Sequence, residues 1–294
     1  MTAPRRVLPG AVYLVTRRCA QRQFLLRPSE ATNQIFLYVL ALAVQRFGIQ
    51  LHTVSVLSNH YHLVLTDPHA QLPAFSQYLD ALVARALNAS LGRWESFWAP
   101  QSYSAVELTS PADILAKAAY VLANPVAAGL VRRGRDWPGL WSDPRRIGQE
   151  PFVVRRPRTF FREDGYLPER VELGLTVPPG FESAQAFREQ LSAALLEREK
   201  RHAAEGHAFP GPAHARAQSP FAKPASREPR RGLNPRVAAR DRWKRVEALA
   251  RLRSFLAEYR DAWRAWTAGQ RDVLFPAGTY ALRVVHRACC HAVG

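Results

Sequence analysis

Cysteine is scarce in this chain of 294 residues. There are three, Cys19, Cys289 and Cys290. An odd count with two members adjacent does not build a disulfide framework, and without a CxxC spacing it offers no thiolate zinc site. A reducing compartment fits. Long apolar runs are missing too. The greasiest stretch, 35–44, stops at Gln45 and Arg46 and is too short for a membrane span. The opening MTAPRRVLPG lacks the apolar middle of a secretory signal. The expectation is a soluble, cytoplasmic protein with no membrane partner. Acidic residues are also few: Asp and Glu total 24 against 41 Lys and Arg, a net charge of +17. Such a surplus attracts a polyanion, and nucleic acid is the usual one. Only four of the basic residues are lysine, Lys117, Lys200, Lys223 and Lys244. The arginines suit bidentate phosphate contacts, although an arginine-favouring genome gives the same bias.

Apolar residues make up 47% of the chain, enough for one substantial core with or without an appendage. Over the first 145 residues the pattern predicts strand 11–16, helix 32–47 stopped by Gly48, strands 51–57 and 61–66, helix 72–91, strand 104–108, and a helix capped at Ser110 that ends before Pro125. The fold class expected from this order is α+β: a ferredoxin-like antiparallel sheet with helices packed on one face. Residues 146–202 read as a Pro/Arg-rich connector followed by a helix. Residues 203–240, dominated by Ala, Pro, Arg and Gly, read as a disordered basic linker. Residues 241–294 read as a basic helical C-terminal segment. No internal repeat is present.

Two small constellations bear chemistry. His60 and His62 are two apart on a predicted strand, so both imidazoles point to one face and can reach one ion. Alone, the pattern is more readily that of two polar residues at a strand end. Tyr120 and Asn124 are four apart on a predicted helix and share a face. Alone, that is equally a half-buried tyrosine and a helix-end asparagine. Together, two neutral imidazoles and a neutral amide leave the charge of a divalent ion uncancelled, which suits activation of a scissile phosphate. A phenol, whose ordinary pKa is about 10, needs such help to attack.

The segments around these residues, SNHYHLVL (58–65), SFWAPQSYSAVEL (96–108) and AAYVLANPVAAGLV (118–131), resemble the HUH single-tyrosine transposases, in particular the REP-associated tyrosine transposase branch. The order and spacing of the three blocks match as well, and the likeness covers roughly the first half of the chain. The resemblance implies an HUH domain over 1–145, with Tyr120 as nucleophile and His60, His62 and Asn124 as ligands of Mg2+ or Mn2+. It implies cleavage of single-stranded or hairpin DNA through a 5′-phosphotyrosine link, with strand transfer to a second end, by a monomer or homodimer. A catalytically inactive hairpin-binding descendant is the alternative. The chain departs from the family at Arg17-Arg18-Cys19, where an Arg-Gly-Asn turn is usual, and at Ala127, where relatives often carry a basic residue. Further DNA contacts are expected from Arg17, Arg18, Arg22, Arg132 and Arg133. Trp98 and Tyr103 could stack on bases or fill the core edge.

Overall fold

The computed structural model describes residues 4–206, 208–225 and 235–292. Strand β1 (Ala11–Arg18) leads to helix α1 (Glu30–Phe47), the hairpin β2 (Gln50–Leu57) and β3 (His60–Asp67), helix α2 (Leu72–Ser90), strand β4 (Ser104–Leu108) and helix α3 (Pro111–Ala127). Beyond these lie β5 (Phe152–Arg155), β6 (Arg170–Leu173), α4 (Ala184–Ala203), α5 (Gly211–Ala217), β7 (Val237–Ala238), α6 (Arg242–Thr267) and α7 (Ala281–His286). The protein is α+β, with seven α-helices among the described residues.

The main sheet runs β2-β3-β1-β4-β7. Its first four strands are antiparallel, but β7 lies parallel to β4, pairing Glu107 with Val237 and Leu108 with Ala238. The sheet is therefore mixed, not purely antiparallel as expected. The helices also differ from expectation, because they cover both faces. Tyr13, Val15, Leu63 and Leu65 pack with α1 and α2, whereas their strand neighbours Val12, Leu14 and Val64 pack with Ile114 and Val121 of α3. Alternation along a strand sends adjacent side chains to opposite faces. Here both alternating sets are apolar, so both faces need cover.

Local signals set the helix ends. Ser29 caps α1 by accepting from the Thr32 N–H at 3.1 Å. Gly48 ends it at φ 64°, where an added Cβ would come 2.8 Å from the His69 ring. Ser110 caps α3. That helix does not stop before Pro125 but continues to Ala127. Proline in the last turn forfeits one backbone bond. The turn still closes, because Ala128 N–H donates to the Asn124 carbonyl at 2.9 Å and Leu130 N–H to the Pro125 carbonyl at 3.0 Å. Asn124 consequently stays helical and one turn from Tyr120.

Segments after residue 145 pack onto this core. α4 lies along α3, and the β5–β6 hairpin lies against α1. The stretch expected to be a disordered linker, 203–240, is ordered over much of its described length. Ala215 of α5 is buried with Leu57, Val131 and Trp137. Gly211 N–H donates to Leu130, Phe24 N–H to Ala222, and the Arg27 guanidinium to Arg216. Such a sequence has no apolar period to betray it. Its main-chain groups are satisfied by partners far away in the chain. Residues 207 and 226–234 of that stretch lie outside the described residues. Among the described residues no helix is long and apolar enough to cross a membrane.

Candidate functional site

β1 and β3 bring Thr16 opposite His62 and Arg18 opposite His60. These side chains share the sheet face covered by α3. On α3, Tyr120 and Asn124 point back at the histidines. The His62 and Tyr120 rings meet edge to face at 5.4 Å, and the His60 and His62 rings at 4.8 Å. His60 Nε2 lies 3.3 Å from Asn124 Oδ1, and His62 Nε2 lies 3.3 Å from Asn124 Nδ2. The outer ring nitrogens are also held. His60 Nδ1 is 2.7 Å from Asn59 Oδ1, and His62 Nδ1 is 2.7 Å from Thr16 Oγ1. Such outer partners orient a ligating imidazole and fix which nitrogen carries the proton. Burial, reinforced by His60, Arg18 and Lys117, pushes the His62 pKa well below its ordinary value. His62 is thus the neutral imidazole that ligation requires.

The donor set fits a divalent cation. His60 Nε2 and the Asn124 amide oxygen, 3.3 Å apart, are both of the atom types that ligate a cation. Ligands about 2.1 Å from an ion stand about 3 Å from one another, close to the 3.3 Å between His60 Nε2 and Asn124 Oδ1. Among the described residues no group of three or more His, Cys, Asp and Glu side chains is assembled for a metal. The third donor here is an amide.

The structure does not bring every expected contact residue to this face. Arg17 is the cross-strand partner of Tyr61, on the opposite side of the sheet. There its Nε lies 3.3 Å from Asp80 Oδ2, which also neighbours Tyr61 and Trp98. Trp98 is buried, and its Nε1–H donates to the Asp80 carbonyl at 2.9 Å. The Tyr103 hydroxyl meets Ser76 Oγ at 3.0 Å, and the Arg5 guanidinium covers its ring. These three side chains belong to the packing beside α2. Arg18 is exposed and shares the His60 face. The Arg22 carbonyl accepts from Asn59 Nδ2, tying that turn to the His60 loop. Arg132 and Arg133 are exposed beyond α3, Arg132 over the Phe209 ring.

Several neighbours escaped the reading of the sequence. Asn59, directly before His60, could have been weighed as its partner. Lys117, three residues before Tyr120, could have been placed on the same helix face, and its Nζ stands 5.5 Å from the Tyr120 ring centre. Thr16 needed the strand register. Arg198, Arg201 and Arg240, which line a cleft with Tyr120, needed the tertiary fold.

No family model matches the chain, and no curated protein matches it. Solved structures similar to it include two transposases. One is a REP-associated tyrosine transposase bound to a REP hairpin, at 19% identity and TM-score 0.40, covering 47% of this chain and 81% of that one. The other is a candidate transposase of Deinococcus radiodurans R1, at 18% identity and TM-score 0.29, covering 36% of this chain and 85% of that one. Both superpositions are partial.

Proposed function

We propose that this protein is a metal-dependent endonuclease and strand transferase of the HUH single-tyrosine type, acting on single-stranded DNA at hairpins or palindromes. The observation that carries this reading is the convergence of Tyr120 with His60, His62 and Asn124, with the Tyr120 and His62 rings 5.4 Å apart. The β1 to β4 core then serves as a ferredoxin-like platform, and α3 carries the nucleophile. His60, His62 and Asn124 would hold Mg2+ or Mn2+. When bound, that ion supplies charge to polarise a phosphoryl oxygen and favour the phenolate.

Tyr120 Oη attacks the phosphorus of a phosphodiester. The bond to the 3′-oxygen breaks, that oxygen leaves as a 3′-hydroxyl, and the 5′-phosphate stays on the tyrosine. The 3′-hydroxyl of another end reverses the step, expelling the phenol. Bond energy is kept through the covalent link, so no nucleotide cofactor is required. Lys117 and Arg18, which neighbour His62 electrostatically, supply positive potential to the site.

The test is a 3′-labelled hairpin oligonucleotide incubated with the protein and Mg2+ or Mn2+, run on a denaturing gel. Wild type is expected to give a protein-linked labelled strand, and Tyr120→Phe to bind the hairpin without forming it. Equal adduct from Tyr120→Phe refutes the nucleophile. No adduct from wild type refutes the enzyme.

A further inference from the structure

Lys117, Tyr120 and Asn124 lie along one face of α3, a turn apart. Asn124 joins Tyr120 to the histidines on one side. On the other side opens a cleft of about 430 Å³. Its walls carry Leu115 and Ala194, and its charges are Lys117, Arg198, Arg201 and Arg240 against the single carboxylate of Glu197. Glu197 is already paired with Lys200 at 3.1 Å. Among the described residues none of the four cleft cations forms a salt bridge. Three separate elements deliver them. α3 supplies Lys117, and α4 supplies Arg198 and Arg201. The chain leaving β7 supplies Arg240, whose N–H is fixed by donation to Asp113 Oδ1 at 2.7 Å.

Holding four cations together costs free energy in the free protein. At two of them neighbouring cations add to the effect of burial. Burial and then Arg198 lower the Lys117 pKa, and burial followed by Arg201 and Arg240 lowers that of Arg198. A bound polyanion offsets that cost. The cleft is open, walled by short apolar side chains and lined by donors, as a phosphodiester backbone requires. It begins at the phenol itself, since one helical turn separates Tyr120 from Lys117, a rise of about 5 Å.

Building on the strand-transfer reading above, we propose that this cleft is a phosphate clamp. It grips the single-stranded DNA backbone next to the scissile phosphate, on the strand that Tyr120 retains. Cleavage at the histidines leaves that strand tethered at Oη, and Lys117, Arg198 and Arg201 hold its next phosphates in place for rejoining.

The experiment measures binding of a single-stranded oligonucleotide by fluorescence anisotropy across a salt series. The background is Tyr120→Phe, so that no adduct forms. Arg198→Gln/Arg201→Gln in that background should flatten the log–log salt slope by about 1.4, and should weaken binding roughly 25-fold at 0.1 M salt, if two phosphate contacts are lost on a single strand. Arg201→Gln alone, at an exposed position, should give half that slope change without touching the fold. Neutral methylphosphonate linkages 3′ to the cleavage point should weaken the parent but not the double variant. An unchanged slope, or an equal methylphosphonate effect in both proteins, overturns the clamp. The adduct assay on wild type is separate. An adduct with no slope change sinks the clamp and keeps the strand-transfer reading. A slope change without any adduct keeps the clamp as a DNA-binding cleft and sinks the chemistry. No binding of single-stranded DNA by the parent sinks both.

Discussion

Arg17 offers a direct way to separate a structural arginine from a DNA-binding one. In sequence it stands beside Arg18 in a basic turn, yet the structure turns it to the other face of the sheet, against Asp80 at 3.3 Å. Its side chain is 19% exposed and that of Asp80 14%. Removing one partner of a fully buried pair costs about 3–5 kcal/mol, because the other charge is orphaned. Two facts reduce that figure. Both groups retain some water, and the Arg17 Nε lacks hydrogen-bond alignment despite its proximity. Partial exposure screens the pair, which leaves a cost of about 2 kcal/mol. Arg17→Met keeps most of the stem's packing and should lose this amount in urea unfolding at pH 8. The orphaned Asp80 also gives the loss a pH signature. Burial, partly offset by the Tyr61 hydroxyl and Arg17, already raises its pKa to about 6. Without the arginine it rises further. A raised carboxyl pKa favours the folded state where the group is protonated, so the deficit of Arg17→Met should be full only above the variant's raised Asp80 pKa, shrink as pH falls from there toward about 6, and stay at its reduced value below about 6, where Asp80 is protonated in both folded proteins. Adding Asp80→Asn should recover part of the deficit, since neither charge then remains unpaired. The salt slope of DNA binding should not move. A slope flattened by about 0.7, the value of one single-strand phosphate contact, with unfolding free energy unchanged would refute this placement.

Two further perturbations test the frame that holds the site. His52 is buried, with Nδ1 2.9 Å from the Thr176 carbonyl and Nε2 2.8 Å from Thr66 Oγ1. Burial lowers its pKa to about 4. A histidine whose folded pKa is depressed contributes full stability above the unfolded value near 6.5 and loses it as pH falls toward 4. Wild type should therefore lose up to about 3 kcal/mol more than His52→Gln between pH 7 and pH 4, read by urea unfolding at each pH. Equal losses would show that His52 does not titrate in this window. Asp67, fully buried, accepts from the N–H groups of His69, Gln71 and Leu72 at the start of α2. Asp67→Ala should cost about 3 kcal/mol and raise amide exchange first at Gln71 and Leu72. Protection unchanged at those two amides would show that the cap is dispensable.

Much of the site was readable because its spacings are local. Period-2 alternation puts His60 and His62 on one face of a strand, and a four-residue step puts Tyr120 and Asn124 on one face of a helix. Neither needs the rest of the fold. The same holds for the ends of α1 at Ser29 and Gly48 and the start of α3 at Ser110, where the capping residue is adjacent in the chain. Pro125 misled because its rule concerns the interior of a helix, whereas here it sits in the last turn, where one lost bond is affordable. The 203–240 stretch misled because backbone pairing, as between β7 and β4, leaves no mark on composition.

Alternation along β1 and β3 is thus a property of the chain, but which face receives which helix is not. A period shows that Arg17 and Arg18 diverge; only the packing of α2 against one side and α3 against the other makes Arg17 a core ion pair and leaves Arg18 beside His60. The same limit applies to the cleft around Tyr120. Lys117 is written into α3, three residues from the phenol, whereas Arg198, Arg201 and Arg240 reach it over separations of some 80 to 120 residues through the packing of α4 and the pairing of β7. Contacts that distant are set by the free energy of the whole core, and no local pattern encodes them.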